Sequence, residues 1–263
     1  MDLVRQMIDL AVEKQCDAVK FQKRTIDIVY TPEFLASPRE SPWGNTQRAQ
    51  KEGLELGQDQ YDEINRYCKE KGIIWFASAW DIPSLHFLRQ YNLLYNKIAS
   101  AMLTHYEFID EIISEKKITF IGTGMSDYKM IENVVARFKN ANCPFILMHC
   151  VSEYPALNES LNMRQIVEMR NRFNCPIGYS GHEMTMLPGV IAVLMGAVAI
   201  ERHITISHAL YGSDQAFSLE PRGLETLVNY IRQIPIILGN NDRIISKEEQ
   251  INAKKLRYFW RES

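Results

Sequence analysis

What this chain can fold into is limited first by seven short apolar runs, rich in β-branched residues. They are Ala18-Val19-Lys20-Phe21-Gln22, Ile73-Ile74-Trp75-Phe76-Ala77-Ser78, Tyr95-Asn96-Lys97-Ile98-Ala99-Ser100 and Ile118-Thr119-Phe120-Ile121-Gly122-Thr123-Gly124. Then come Pro144-Phe145-Ile146-Leu147-Met148-His149-Cys150, Pro176-Ile177-Gly178-Tyr179-Ser180-Gly181-His182 and Ala199-Ile200-Glu201-Arg202-His203-Ile204-Thr205. Helical patterns lie between them, with Tyr61, Ile64 and Cys68 on one face and Ile131, Val134, Val135 and Phe138 on another. Continuous apolar strands alternating with helices mean a parallel sheet covered by helices. One more helix follows, around Leu224 to Leu238.

The number seven matters. The chain opens on a helical pattern, Leu3, Met7, Ile8 and Val12, whereas a strand–helix repeat should start with a strand. Eight strands close a barrel and remove both edges; seven leave open edges at Ala18 and Ile200. The expected fold is α/β, a (β/α)8 TIM-type barrel lacking its first strand. The alternative is an open doubly wound sheet, but no Gly-rich dinucleotide turn follows any strand. The barrel is expected over residues 1–239. Residues 240–263 read as a polar C-terminal tail, with Ser246-Lys247-Glu248-Glu249 as the capping box of a short helix ending near Trp260. The segment Lys23 to Gly57, with Thr31-Pro32, Ser37-Pro38 and Ser41-Pro42-Trp43-Gly44, reads as a long loop, functional or disordered.

Composition excludes some function classes. A net charge of −2 over 263 residues gives no reason to expect nucleic acid or an anionic membrane as partner. No apolar run approaches the roughly 20 residues that span a bilayer. Met1-Asp2-Leu3-Val4-Arg5 leads straight into an amphipathic pattern, so no signal peptide is read. The five cysteines are odd in number and lack CxxC spacing. Reduced thiols and a cytoplasmic location are expected.

Polar residues gather at the C-terminal ends of the strands, where barrel active sites sit. They are Lys20 and Gln22, Ser78, Lys97 and Ser100, Thr123, His149, Ser152, Ser180 with His182, and Glu201 with His203. Lysines inside strands are costly unless they snorkel to water or meet an anion; a phosphate or carboxylate ligand would serve. His182 and His203 close successive parallel strands, so both imidazoles face one rim. Two converging imidazoles form half of a divalent-metal site, or else two hydrogen-bonded structural histidines. His86, His105 and His208 read as surface or packing residues, and His149 fits either role.

These residues carry a resemblance. Lys20-Phe21-Gln22-Lys23, Trp43-Gly44, Lys97-Ile98-Ala99-Ser100, Gly122-Thr123-Gly124-Met125, Tyr154-Pro155, Ile177-Gly178-Tyr179-Ser180-Gly181-His182, Glu201-Arg202-His203-Ile204-Thr205 and the run Tyr211 to Pro221 resemble the sialic acid (N-acetylneuraminate) synthase family. The resemblance implies a transferase that condenses phosphoenolpyruvate with an N-acetylated amino sugar of the N-acetylmannosamine type, and a homodimer. By it, His182 and His203 are the protein ligands of Mn²⁺ or Mg²⁺. Lys20, Lys97, Ser78, Ser100, Ser152 and Ser180 form the phosphoenolpyruvate cradle, with Gln22 nearby, and Tyr154 and Asp214 contact the sugar. His182, His203, Lys97 and Asp214 are the catalytic candidates. The chain departs from the family in three ways. A first-strand glutamate has no counterpart, nor has the C-terminal antifreeze-like domain. Met102 stands where the family carries an acidic residue, and a thioether is neither acid nor base. Two alternatives follow: an impaired barrel that binds phosphoenolpyruvate or sugar without turnover, and an unrelated metal-dependent barrel.

Overall fold

The computed structural model describes residues 1–240, 242–257 and 259. Each apolar run forms a strand: β1 (Ala18–Lys23), β2 (Ile74–Ala79), β3 (Tyr95–Ile98), β4 (Ile118–Gly122), β5 (Phe145–Cys150), β6 (Ile177–Gly181) and β7 (Ile200–Arg202). They pair in parallel and in sequence order, β1 and β7 being the edges. The order never reverses, so there is no topological switch point, and the doubly wound alternative is excluded. The sheet curls until its edges face each other, because Lys20 Nζ on β1 lies 3.1 Å from Glu201 Oε1 on β7. A seven-stranded, curled parallel sheet of this order is consistent with a TIM-like barrel.

Eight helices cover the convex side: α1 (Asp2–Glu13), α2 (Gln58–Lys71), α3 (Ile82–Arg89), α4 (Tyr106–Ser114), α5 (Tyr128–Asn140), α6 (Gln165–Phe173), α7 (Leu187–Leu194) and α8 (Pro221–Leu238). Their buried stripes, including Ile64, Phe108, Ile112, Val134, Phe138 and Ile166, meet the sheet in one core. First and last helices also meet. Leu10 of α1 packs with Leu224, Leu227 and Val228 of α8. Lys14 Nζ lies 3.4 Å from Glu225, and Arg232 Nη2 lies 2.7 Å from Asp17.

Side-chain alternation sorts the sheet residues. Lys20 pairs with Phe76 and Lys97 with Phe120, while Tyr95 precedes Lys97 by two. All five therefore share the concave face. There the rings of Phe76, Tyr95 and Phe120 pack with centroids 5.5–5.7 Å apart and form an apolar floor. Gln22 and Ser78 pair with each other, and Ser78 with Lys97, one layer above that floor.

The segment from Lys23 to Gly57 is not an irregular loop. It holds helices Ile26–Val29, Pro32–Ala36 and Gln47–Leu54 and an antiparallel hairpin, Pro38–Ser41 with Gly44–Thr46. Thr31 and Thr46 cap two of the helices by accepting from Phe34 N and Ala49 N, each at 3.2 Å. Asp81, at the start of α3, takes the Thr25 N–H at 2.7 Å and its hydroxyl at 2.9 Å, which fixes where the insert leaves the sheet. Trp43 meets Tyr211 edge-on at 5.7 Å, and Gln50 Nε2 donates to the Tyr211 hydroxyl at 2.9 Å.

The capping box at Ser246 and Glu249 forms as expected and starts α9 (Lys247–Leu256). That helix stops at Leu256, four residues short of Trp260, which lies outside the described residues. The five cysteines are unpaired. No described helix is long and apolar enough to cross a membrane.

Candidate active site at the open end of the sheet

The concave face has a charged centre at Glu201. Its Oε1 lies 3.1 Å from Lys20 Nζ, its Oε2 lies 3.2 Å from Lys97 Nζ, and Ser180 Oγ donates to Oε1 at 3.1 Å. Three strands, β1, β3 and β6, thus aim a cation or hydroxyl at a carboxylate on a fourth. Burial would push the Glu201 carboxyl up, but Lys20 and Lys97 outweigh it and hold it well below the usual carboxylate range. The strand lysines, expected to need an anion, meet this internal one first. Glu201 is the site residue that sequence reasoning missed as a partner. Its only local signal is a carboxylate two residues before His203 in an apolar strand.

The histidine pair sits beside this centre. His182 Nδ1 lies 2.7 Å from the Val151 carbonyl, a bond that places the proton on Nδ1 and leaves Nε2 with its lone pair. Burial pushes the His182 imidazole down to about 4, with smaller contributions from its neighbours, so it is neutral at pH 7. His203 Nδ1 lies 3.3 Å from Asp214 Oδ2. Burial opposes ionisation of Asp214, yet the bond to His203 prevails and pulls its carboxyl down to about 2. The two rings are 5.4 Å apart, and Phe217 packs against both at 5.7 and 4.9 Å. Tyr154, before the cis bond to Pro155, lies 4.5 Å from the His182 ring. His182, His203, Asp214 and Tyr154 therefore come together. Each imidazole has one nitrogen committed to an oxygen, the arrangement that orients histidines toward a metal. Among the described residues, no group of three or more His, Cys, Asp or Glu could hold an ion.

The serines gather on Gly124. Gly124 N donates to Ser100 Oγ at 3.1 Å, and Ser100 Oγ lies 3.4 Å from Cys150 Sγ. A Cβ at Gly124 would come within 2.3 Å of Ser152 Oγ and 3.0 Å of Ser100 Oγ, so only glycine admits both hydroxyls. Ser152 Oγ is buried without a hydrogen bond of good geometry. A cleft lined by Gly124, Ser126, Cys150, Ser152 and Glu153 opens beside it. Cys150 pairs with Ser180 across β5 and β6, which joins the serines to the Glu201 centre.

Two candidates stand apart. Ser78 is buried in register between Gln22 and Lys97. Gln22 is turned to the rim, where its Oε1 accepts from Trp80 Nε1 at 3.1 Å and from Arg24. His149 is a packed residue, its Nε2 bonded to the Leu161 carbonyl at 2.7 Å. His105 caps α4, while His86 and His208 hold surface contacts.

Comparison with known proteins gives the site a lineage. The NeuB family model matches residues 7–243. The chain belongs to the NeuB family. It is 35% identical over 259 residues to the human N-acetylneuraminate-9-phosphate synthase, covering 97% of this chain and 72% of that protein. Identity to the N,N'-diacetyllegionaminic acid synthase of Legionella pneumophila is 28% over 257 residues, 95% of this chain and 72% of the relative. Another NeuB-type neighbour is the N-acetylneuraminic acid synthetase of Leptospira borgpetersenii serovar Hardjo-bovis, solved with citrate. It superposes with a TM-score of 0.84 at 28% identity, over 99% of this chain and 88% of its own.

Proposed function

We propose that this chain condenses phosphoenolpyruvate with an N-acetylated amino sugar of the N-acetylmannosamine type, giving a sialic acid-like nonulosonic acid and phosphate. The observation that carries this reading is the convergence of Lys20, Lys97 and Ser180 on one buried carboxylate beside two oriented imidazoles. Carbon 3 of phosphoenolpyruvate attacks the open-chain aldehyde, water adds at C2, and phosphate departs with C–O cleavage. Lys20, Lys97 and Ser180 bind the anionic donor, with Ser78, Ser100 and Ser152 on its hydroxyl-lined side. Glu201 pairs with both ammonium groups and aims them into the site, and the donor's negative groups compete with it for them. The Ser152 hydroxyl, which has only a poorly aligned contact with Tyr154, is available to a ligand oxygen. Asp214 stays ionised and accepts from sugar hydroxyls or from His203; Tyr154 flanks the same space.

The Nε2 atoms of His182 and His203 would hold Mn²⁺ or Mg²⁺, with the remaining positions left to substrate or water. Bound there, the ion supplies Lewis acidity to the aldehyde and to water. The fixed positions of the lysines and hydroxyls make the protein's own contribution one of orientation and charge stabilisation.

A second reading has Met102 behind it. The residue lies in the short helix Ser100–Met102 after β3, packed against the core, where the resemblance calls for a carboxylate. A barrel without that carboxylate would bind both ligands and not turn them over. Phosphate release with phosphoenolpyruvate, N-acetylmannosamine and Mn²⁺ decides between the two. Release abolished by His182→Ala supports condensation; calorimetric binding of phosphoenolpyruvate without release from any acetylated hexosamine supports the second reading.

A further inference from the structure

Beside the two strand-end histidines stand a glutamate and an arginine that the condensation reading leaves without a task. Glu201 faces the concave centre, so its neighbour Arg202 faces the other way. Arg202 pairs in register with Gly181, and Tyr179 lies two residues earlier on the same face of β6. There the Arg202 guanidinium and the Glu183 carboxylate form a buried ion pair, Nη1 to Oε1 at 2.8 Å, with side chains only 2% and 1% exposed. The Tyr179 hydroxyl donates to Glu183 Oε2 at 2.7 Å. A Cβ at Gly181 would come within 2.6 Å of Glu183 Oε2 and 2.8 Å of the Tyr179 ring, so the glycine makes the room in which carboxylate and phenol meet.

The same guanidinium reaches further. Its Nη1 donates to the Thr185 carbonyl at 2.7 Å, and its Nη2 donates to the carbonyls of Glu183 and, at 3.4 Å, of Phe217. These contacts act on the histidines over short paths. Arg202 adjoins His203, Glu183 adjoins His182, and Phe217 packs against both rings. Leu219 N closes the Phe217 segment onto the His203 carbonyl at 2.8 Å, and Ala156 N holds the His182 carbonyl at 3.0 Å. One planar fork thus ties together two strand ends and the segment whose ring touches both imidazoles. A lysine would carry the charge without the fork. A buried ion pair adds little net stability over apolar packing, but its directed, charge-assisted bonds fix geometry.

We propose that Arg202 and Glu183, with Tyr179, are positioning residues: from behind the site they set the spacing and tilt of His182 against His203. That this spacing serves an ion rests on the proposed function; the clamp itself does not. The test observes the rings directly. Two-bond ¹H–¹⁵N spectra of the full chain, recorded without metal, report the imidazole of each of the six histidines, assigned through His182→Ala and His203→Ala. Electron paramagnetic resonance of added Mn²⁺ measures ion affinity, and urea unfolding checks the fold. Arg202→Lys keeps the charge, while Glu183→Gln/Arg202→Met removes both charges and leaves no lone buried ion. In either variant the His182 and His203 signals should move or broaden while those of His86 and His105 stay. Mn²⁺ affinity should fall by about tenfold or more. Phosphoenolpyruvate affinity should hold within about twofold by calorimetry. Wild-type His182 and His203 signals in a folded variant overturn the clamp. Loss of fold in both variants, or an equal loss of phosphoenolpyruvate affinity, assigns the pair to the stability of the sheet and overturns it too. Moved signals with unchanged Mn²⁺ affinity, or with no Mn²⁺ bound by wild type, remove the metal reading and leave the clamp.

Discussion

At the scale of single residues, Glu201 organises the site. It satisfies two buried or half-buried ammoniums at once, and removing one partner of such a group strands the others. Glu201→Gln is expected to lower stability by about 3 kcal/mol in urea unfolding. Phosphoenolpyruvate should restore more stability to the variant than it adds to wild type, because its carboxylate and phosphate replace the lost charge. A second expectation concerns His149. Its imidazole is buried, and burial holds it below its ordinary value of 6.5. The unfolded chain therefore takes up this proton first as pH falls. The His149 contribution is whole above pH 6.5 and is lost as pH drops toward the folded value, at no more than about 1.4 kcal/mol per pH unit. His149→Gln keeps a donor for the Leu161 carbonyl and removes the titration. The difference should appear as a flatter stability–pH curve between pH 6.5 and 5 in denaturant titrations. The strand-end histidines and strand lysines were visible in the sequence because their positions are local facts. The Lys20–Glu201 and Lys97–Glu201 pairs were not, because they join residues 181 and 104 positions apart, and nothing local marks them.

At the scale of elements, the contrast lies between the strands and the insert. The seven strands were legible because a strand buried on both faces must be apolar throughout. The helices of the insert span four, five and eight residues, too short for an amphipathic period to stand out. Their stability comes from threonine caps, from Asp81 and from the contact of Trp43 with Tyr211, and a contact of that last kind is tertiary. Gly53 tests how the insert docks. A Cβ there would lie 2.1 Å from Trp43 Cδ2, so the indole has to move. Gly53→Ala should detach Trp43 from Tyr211. Acrylamide should quench the variant's tryptophan fluorescence more strongly, and affinity for the acceptor should fall while that for phosphoenolpyruvate holds.

At the scale of the molecule, seven strands and a ring of eight helices leave the sheet with two edges. The counting of runs in the sequence led to that result, and the in-order pairing of β1 through β7 agrees with it. What the sequence did not reveal is how the edges are managed. On the outside, α1 bridges to α8 through Leu10 and the pairs at Glu225 and Asp17. Leu10→Ala removes a buried side chain from that bridge and is expected to cost about 2–3 kcal/mol, the lower part of the range for large-to-small core changes. Urea unfolding measures it, and a change below 0.5 kcal/mol would show that α1 does not close the ring.

On the inside, β1 and β7 touch through Lys20 and Glu201 rather than through backbone hydrogen bonds. The latch that draws the two margins of the sheet together is thus made from the same charges that would receive the donor. A ligand that takes Lys20 from Glu201 loosens the seam as it binds, and a seam that opens surrenders part of the binding surface. Affinity and shape are then one equilibrium. Amide exchange along β1 and β7 should respond to phosphoenolpyruvate more than exchange in β4 and β5, which lie on the far side of the sheet.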